Sequence, residues 1–213
     1  MTIAIPRLDR TTAEERGITL ADFLVPIRVG ERTPTLLRHI ALIVVGTLFV
    51  ALCAQVYIPT LPVPFTGQTF GVLLVGGALG FRRSLLALLL YVAIGAVGLP
   101  VFAQGKAGLA IVQGATGGYL VGFVIAAAIV GRLAELGWDR KIGGSLAAMA
   151  IGTAIIYAIG VPWLKAVVTD YTWADAVNKG MTQFLIWDAA KLAVAAGIFP
   201  LAWWVIGRRP EDR

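Results

Sequence analysis

Two ionisable residues stand inside an otherwise apolar segment near the C-terminal end of the chain. The stretch "FLIWDAAKLAVAA" contains Asp188 and Lys191, three positions apart, so on a helix both side chains lie on one face. A charged side chain inside a membrane costs at least ~2.5 kcal/mol, and such residues usually belong to a functional site. Lysine can hold a carboxylate, and aspartate can accept hydrogen bonds from N–H groups. The pair therefore suggests a binding site for a small polar solute.

The alternative is an intrahelical ion pair that neutralises itself and binds nothing. Two leucines would cost less in lipid than a buried pair, so keeping the charges favours the binding interpretation. Phe184, Trp187 and Tyr119 could supply the aromatic walls of such a site. Catalysis is disfavoured, because the sequence offers no Ser/His/Asp set and no zinc motif, and its single histidine, His39, stands at the start of an apolar segment.

The composition places these residues in a membrane protein. Of the 213 residues, 58% are hydrophobic and only 14% are charged, against about a quarter in ordinary soluble domains. The formal net charge is +6, but the basic residues stand between apolar segments and at the chain ends. That distribution is typical of membrane topology and argues against a nucleic-acid partner. A single cysteine, Cys53, excludes a disulfide framework.

The apolar segments predict an all-α integral membrane protein with six transmembrane helices. Two of the six are shorter than the roughly 20 residues that cross hydrocarbon, and loops folding back into the protein can complete them. We expect residues 1–38 to form a cytoplasmic N-terminal extension with a short surface helix near "TLADFLVPI", residues 39–207 the membrane domain, and residues 208–213 a cytoplasmic tail. The predicted spans are His39–Tyr57, Gln68–Phe81, Ser84–Gly98, Gly114–Leu133, Ile142–Leu164 and Met181–Ile206.

Basic residues predict the orientation of these spans. Arginines and lysines precede the first span, follow the sixth, and join the second to the third and the fourth to the fifth. Because cytoplasmic loops carry the excess of Lys and Arg, both termini are expected in the cytoplasm. The loops "PVPFTGQT", "LPVFAQGKAGLA" and "VVTDYTWADAVNK" then face outward. Together these three loops could roof a pocket.

Closely spaced glycines predict tight helix packing rather than nucleotide binding. Gly114, Gly118 and Gly122 fall on one helical face, where small residues let helix backbones approach closely in lipid. The stretch "PVFAQGKA" departs from a phosphate-binding loop, because Pro100 replaces the required glycine and Ala107 the required Ser or Thr. Any energy source must therefore come from another chain or from a gradient.

Several motifs together resemble the BioY family, the biotin-specific S components of energy-coupling-factor (ECF) transporters. The segments "PVPFTGQTF", "GLPVF", "GATGGYLVGF" and "DAAK" occur in the family's order, and the resemblance covers about residues 40–207. It implies an ECF S-component-like bundle of six helices around a pocket open to the outside. The implied ligand is biotin, whose ureido ring carries two N–H donors and whose side chain ends in a carboxylate.

The resemblance also implies roles for particular residues of this sequence. Asp188 is expected to accept hydrogen bonds from the ureido ring, and Lys191 to pair with the carboxylate. The "PVPFTGQTF" loop, with Phe65 and Gln68, is expected to form a lid over the site. The loop between the third and fourth spans is expected to contribute a polar contact through Gln104.

The expected partners follow from the same resemblance. A small-residue surface on the first span, at Thr47 and Ala51, is expected to dock a transmembrane coupling subunit of the ECF module. Two ATPase subunits would supply the energy, so the chain itself is expected to be neither an enzyme nor dependent on a cofactor or metal. The location implied is the plasma membrane of a prokaryote. A self-sufficient vitamin uniporter on the same fold and a membrane-embedded lipid-modifying enzyme are the alternatives.

Overall fold

The computed structural model describes residues 18–24 and 32–206, and these are almost entirely helical. Short 3₁₀ turns stand at Ala103–Gly105, Trp138–Arg140 and Thr182–Phe184. In chain order the elements are α1 (Leu20–Leu24), α2 (Arg32–Gln55), β1 (Tyr57–Ile58), β2 (Phe65–Thr66), α3 (Gln68–Leu79), α4 (Phe81–Ala96), α5 (Leu109–Gln113), α6 (Gly117–Glu135), α7 (Ile142–Val167), α8 (Trp173–Gly180) and α9 (Leu185–Ile206).

Helices stand at all six places where the sequence predicts spans, which confirms the predicted helical segments. Within the described residues, four stretches are long and apolar enough to cross a membrane: Thr35–Gln55, Gly117–Glu135, Ile142–Val167 and Trp173–Ile206. Helix α3 is apolar but only 12 residues long. The chain is therefore a multi-pass membrane protein. Helix α2 begins at Arg32 rather than at His39.

A small hairpin interrupts the predicted all-α architecture between α2 and α3. Strands β1 and β2 pair antiparallel, with Tyr57 opposite Thr66 and Ile58 opposite Phe65. The proline-rich segment between them cannot continue a helix, since Pro62 and Pro64 lack the N–H that a helix interior needs. The strand pairing instead satisfies backbone groups where the chain enters the bundle.

Glycine allows α3 and α4 to meet almost without a loop. Gly80 has φ of +79°, a conformation that side chains disfavour, and a Cβ there would lie 2.7 Å from the Thr19 side chain. The Glu135 carboxylate accepts the Phe81 N–H at 2.8 Å and so closes the start of α4. A Cβ on Gly131 would lie 2.5 Å from the Gly80 carbonyl carbon, so α6 packs directly against this turn.

The glycine face predicted for the fourth span packs against α7 at two of its three positions. A Cβ on Gly118 would lie 2.2 Å from the Cβ of Trp163, and one on Gly122 would lie 3.0 Å from the Cα of Ile156. These close approaches confirm the packing interpretation at Gly118 and Gly122. Gly114 differs, because it precedes α6 and a Cβ there would meet the Ala110 carbonyl of its own loop.

The described part of the predicted N-terminal extension packs onto the bundle. Thr19, Leu20 and Ala21 are buried, and the Asp22 carboxylate pairs with Arg38 at 2.8 Å and with Arg83 at 2.7 Å. A helix is present here as predicted, and it covers the arginine-rich end of the bundle. Residues 1–17, 25–31 and 207–213, which include the predicted tail, lie outside the described residues.

We expect Asp22→Asn to destabilise the protein at neutral pH. Burial raises the pKa of Asp22, but the hydrogen bonds and charges of Arg83 and Arg38 outweigh it and hold that pKa below its ordinary value. A carboxylate with a lowered folded-state pKa stabilises above its unfolded pKa, and this contribution is lost as pH falls through the folded value. The variant should lose about 2 kcal/mol at pH 7.

Thermal unfolding in detergent between pH 7 and pH 3 measures this effect. The matched control is Asp170→Asn, since Asp170 is exposed between α7 and α8. The wild type and Asp22→Asn should converge in stability only at the acidic end of the range. Equal melting temperatures for the wild type and both variants at pH 7 would contradict the anchoring role of Asp22.

Candidate functional site

A cavity of about 200 Å³ lies at the end of the bundle opposite the Asp22 ion pairs. Helix α2 ends near this cavity, and α3, α6 and α9 begin near it. Its lining comes from segment 62–69, from the loop that includes Phe102 and Lys106, and from residues 110–116. Facing residues of α6, α7 and α9 complete the wall. The two loops correspond to the first two outward loops predicted from the sequence, and they meet over one cavity.

Asp188 is the acidic residue that lines this cavity, and it is buried, with 5% of its surface exposed. One carboxylate oxygen, Oδ1, accepts hydrogen bonds from Lys191 at 2.9 Å and from the Thr69 hydroxyl at 3.2 Å. The other oxygen, Oδ2, accepts a short hydrogen bond from the Tyr157 hydroxyl. Asp188 also lies in the first turn of α9, where free backbone N–H groups favour negative charge. These contacts stabilise the ionised carboxylate inside an apolar bundle.

The position of Asp188 along the sixth span differs from the sequence prediction. With a helix starting at Met181 it would lie roughly 10 Å along the axis, but α9 begins at Leu185, after a 3₁₀ turn. Asp188 is therefore only about 4.5 Å from the helix start. This shorter distance brings the carboxylate close to the loops that close the cavity.

Lys191 is tied to the cavity wall through all three of its ammonium hydrogens. Its Nζ donates to Asp188 Oδ1, to the Thr66 carbonyl at 2.7 Å and to Thr69 Oγ1 at 3.2 Å. An ammonium group has three donors, so this arrangement uses its capacity. The same Nζ lies 3.9 Å from the centre of the Phe65 ring, which adds a cation–π contact. Asp188 and Lys191 thus form an intrahelical ion pair, and that pair lines the cavity.

Aromatic rings close the cavity around this pair. The Phe65 ring stacks on Phe184 with centroids 6.2 Å apart and meets the edge of Trp187 at 6.0 Å. Phe65 and Phe184 line the cavity. Trp187 does not, because it is 59% exposed and covers Phe65 from outside. The prediction of Trp187 as a wall residue is therefore corrected to an outer neighbour of the wall.

Gln68 and Tyr119 line the cavity and are each fixed by hydrogen bonds. The Gln68 amide donates to the Tyr91 hydroxyl at 2.8 Å and its carbonyl accepts from the Thr66 hydroxyl at 3.0 Å. Tyr91 in turn donates to the Val101 carbonyl at 3.1 Å. The Tyr119 hydroxyl donates to the Gly180 carbonyl at 2.7 Å. Both residues therefore hold surrounding loops in place around the cavity.

Gln104 does not belong to the cavity lining, contrary to the sequence prediction. Its backbone has φ of +64°, within the 3₁₀ turn, whereas its neighbours Phe102, Ala103 and Lys106 line the cavity. The turn is fixed by Gln55, which donates to the Phe102 carbonyl at 3.2 Å and accepts the Gly105 N–H at 3.2 Å. The predicted loop is correct, but different residues of it face the cavity.

The cavity residues that the sequence analysis missed include three that contribute polar groups. Tyr157 and Thr69 contact the Asp188 carboxylate, and Lys106 adds a second lysine to the wall. A signal existed for Tyr157, because a lone tyrosine in the apolar stretch "AIIYAIG" needs a partner for its hydroxyl. Lys106 makes no ion pair or hydrogen bond through its side chain among the described residues. Lys106 is exposed at the mouth of the cavity, so its ammonium group is not held by other protein groups in the way that Lys191 is.

The two residues predicted to dock a coupling subunit are not on the exposed face of α2. Thr47 is 2% exposed, and its hydroxyl donates to the Ala87 carbonyl of α4 at 2.9 Å. Ala51 is also buried. The prediction is corrected, because these small side chains let α2 approach its neighbours inside the bundle. The outward face of α2 consists of large apolar residues such as Leu37, Val45 and Leu52.

No group of His, Cys, Asp or Glu residues that could hold a metal ion is present within residues 18–24 and 32–206. The site accordingly offers a carboxylate acceptor, two lysines, hydroxyl groups and aromatic walls. Such an arrangement can bind a small ligand that carries hydrogen-bond donors at one end and a negative charge at the other.

Sequence comparisons identify similar proteins. A family model described as the BioY family matches residues 25–208. The protein named "Biotin transporter BioY" from Thermotoga maritima is 44% identical over 156 residues, which cover 73% of this chain and 86% of the relative. The protein named "Biotin transporter BioY2" from Lactococcus lactis subsp. cremoris is 34% identical over 171 residues, covering 79% of this chain and 91% of the relative.

A solved structure shows a similar fold. A crystal structure of the S-component for biotin from an ECF-type ABC transporter superposes with a TM-score of 0.71. The match covers 82% of this chain and 95% of the other chain, at 20% sequence identity. The helical bundle is therefore a shared fold.

Proposed function

Because the chain belongs to the BioY family, we propose that it takes up biotin as the substrate-binding S component of an ECF-type transporter. The observation that carries this proposal is the cavity at one end of the bundle, with Asp188 and Lys191 on its wall. The names of the relatives and the shared fold support it. Those relatives are named as transporters, which favours transport over lipid-modifying chemistry.

Biotin matches the cavity by its chemistry. Its ureido ring offers two N–H donors. Asp188 Oδ1 already accepts from Lys191 and Thr69, whereas Oδ2 accepts only from Tyr157 and can accept a further hydrogen bond. The apolar remainder of the ligand would contact the aromatic walls at Phe65, Phe184 and Tyr119. Gln68 and the hairpin before α3 would cover the ligand as a lid.

The carboxylate of biotin requires a cation, and two lysines line the cavity. All three Lys191 donors are occupied by Asp188, Thr66 and Thr69, whereas Lys106 has no side-chain hydrogen bond among the described residues. We therefore propose that the carboxylate of biotin pairs with the Lys106 ammonium group. Lys191 then holds the Asp188 side chain in place through their ion pair. Direct pairing of the carboxylate with Lys191, as the sequence resemblance implies, is the alternative.

Titration with radiolabelled biotin and with biotinamide tests this assignment. The amide lacks the negative charge, so the wild type should bind it about thirtyfold more weakly than biotin. Lys106→Met should weaken biotin binding by a similar factor. It should change biotinamide binding little, because the amide does not make the ion pair that this substitution removes. Lys165→Met, at the end of α7 and outside the cavity, is the matched control.

Two outcomes would count against the proposal. In one outcome, Lys106→Met still prefers biotin over biotinamide whereas Lys191→Met loses this preference. The biotin carboxylate would then be assigned to Lys191 instead of Lys106. Absence of saturable biotin binding by the folded wild type would reject the function itself. Performing the titration on right-side-out membrane vesicles also tests whether the cavity opens outward.

The finer topology and location belong to the same proposal. We propose six membrane crossings, with residues 39–207 as the membrane domain and both termini in the cytoplasm of a prokaryotic cell. The end of the bundle opposite the cavity gathers Arg38, Arg83 and Arg140, as expected of a cytoplasmic face. The cavity then opens on the outer side of the plasma membrane, where external biotin would be captured.

Energy for transport is proposed to come from other subunits. A transmembrane coupling subunit with two ATPase subunits would complete the ECF module, and the exposed apolar face of α2 is the surface on which we place its docking. A self-sufficient uniporter is the second candidate. Uptake of biotin into vesicles that contain this chain alone would favour the uniporter.

A further inference from the structure

A second cavity, a cleft of about 640 Å³, lies between α7 and α9. Its α7 side is formed by residues between Ala150 and Pro162, and its other side by residues between Met181 and Leu192. The α7 side extends over about 18 Å, more than half of the ~30 Å hydrocarbon core. Ala154, Ala158 and Ala189 are exposed along it, so the cleft is open on the outer surface of the bundle.

The chemistry of the cleft is apolar except at its inner wall. Asp188 is its only charged lining residue, and the carboxylate is already engaged by Tyr157, Lys191 and Thr69. Thr153 donates its hydroxyl to the Met149 carbonyl of its own helix at 3.0 Å. The polar groups of the cleft are therefore satisfied within the protein, and what remains for an occupant is hydrocarbon contact.

The location of the cleft restricts its occupant. Both α7 and the stretch Trp173–Ile206 are among the segments long and apolar enough to cross a membrane, so the cleft opens towards hydrocarbon. A neighbouring α-helix, about 10 Å across, would rest on the rim of a cleft between two packed helices rather than enter it. A single methylene chain can enter it and follow the helix axis.

Tyr157 and Asp188 line both the cleft and the substrate cavity. The hydrogen bond between them is thus the wall that separates the two spaces. We propose that the cleft binds one acyl chain of a membrane lipid, which backs the Tyr157–Asp188 pair from the membrane side. The bound chain excludes water from this wall, and a hydrogen bond in such surroundings is electrostatically stronger. This site does not depend on the identity of the transported solute.

Photo-crosslinking tests the lipid site directly. The protein is reconstituted in phosphatidylethanolamine and phosphatidylglycerol vesicles that contain a phosphatidylglycerol with a diazirine in the middle of one acyl chain. Peptide mass spectrometry then maps the labels. The number of labels per exposed residue should be about tenfold higher in 150–162 and 181–192 than on the exposed face of α2. Filling the cleft with Ala154→Leu and Ala158→Leu together should reduce this labelling to the level of that face.

A control variant and a second readout keep the result interpretable. Ala41→Leu adds the same group on the exposed face of α2 and should leave cleft labelling unchanged. The cleft-filled variant should remain a folded monomer by size exclusion and bind biotin within about threefold of wild type, because its leucines replace the hydrocarbon of the lipid chain. In the wild type, biotin binding without cleft labelling would reject the lipid site and leave the proposed function intact.

Two other outcomes would also overturn the lipid site. Equal labelling of the cleft and the α2 face would mean contact with bulk lipid only. Crosslinks between two copies of the chain at 150–162, with lipid labels absent there, would assign the cleft to a second copy. Loss of biotin binding with unchanged cleft labelling in the wild type would instead reject the function and retain the lipid site.

Discussion

Asp188→Asn is expected to weaken biotin binding by at least about thirtyfold, the factor for losing a charge-assisted hydrogen bond of ~2 kcal/mol. In the structure this carboxylate lines the cavity and is held by Tyr157, Thr69 and Lys191. The amide that replaces it keeps the shape but offers a donor where the ureido ring needs an acceptor. Lys191→Met should also weaken binding, because it removes the cation that holds Asp188 in place.

The double variant separates a binding role from a purely structural one. If the two residues only neutralise each other, either single change leaves an uncompensated charge, and changing both should restore stability. If they bind biotin, the double variant folds but does not recover affinity, because the acceptor for the ureido ring is absent. Binding after purification in detergent, with size exclusion as the check on folding, distinguishes these outcomes.

Asp170→Asn, which changes an exposed carboxylate outside the cavity, should bind like wild type. A folded Asp188→Asn/Lys191→Met double variant with wild-type affinity would reject the assignment of this site. If only the single variants fail to fold, the assignment is not rejected, since binding can still be measured on the double variant.

Gly118→Leu is expected to abolish the folded monomer. A Cβ at this position would lie 2.2 Å from the Cβ of Trp163 and 3.0 Å from the Ile159 carbonyl oxygen, so α6 and α7 would have to separate. Overpacking in a well-packed core costs up to about 3 kcal/mol, and here the opposing atoms are at the root of a side chain and on the backbone, which cannot move aside. Tyr119 follows Gly118 directly, so biotin binding should be lost as well.

The matched control is Gly143→Leu at the start of α7, where an added Cβ meets nothing within 4 Å. Size exclusion and thermal unfolding in detergent compare the two variants. Gly143→Leu should behave like wild type. A Gly118→Leu protein that unfolds at the wild-type temperature would contradict the close approach of α6 and α7.

The sequence alone was sufficient to locate the long helices and to predict that Asp188 and Lys191 lie side by side. Long apolar segments bounded by prolines, glycines and arginines predicted six helices, because the hydrocarbon core requires uninterrupted backbone hydrogen bonding. The spacing of Asp188 and Lys191 placed them on one face, and the structure brings them together at 2.9 Å. Gly118 and Gly122 were correctly identified as packing positions, since helical periodicity fixes which residues share a face.

Only the tertiary structure decided which way each face and loop residue points. Thr47 and Ala51 face α4 and the interior rather than a partner, and Gln104 lies outside the cavity that its neighbours line. In a soluble helix the apolar stripe identifies the buried face, but a helix in lipid is apolar on all sides. Its rotation is therefore set by packing against its neighbours, which single-sequence periodicity does not contain.

Of the contacts of Asp188, one is determined by the local sequence and the others by the tertiary structure. Its partner Lys191 was accessible to sequence reasoning because the two are one helical turn apart. Thr69 and Tyr157, which are 119 and 31 residues away, reach the carboxylate only once α3, α7 and α9 have packed. Lys106 joins the cavity through a loop whose path depends on Gln55 of α2. Local spacing determines local pairs, whereas the complete site depends on contacts between distant segments that form only in the folded bundle.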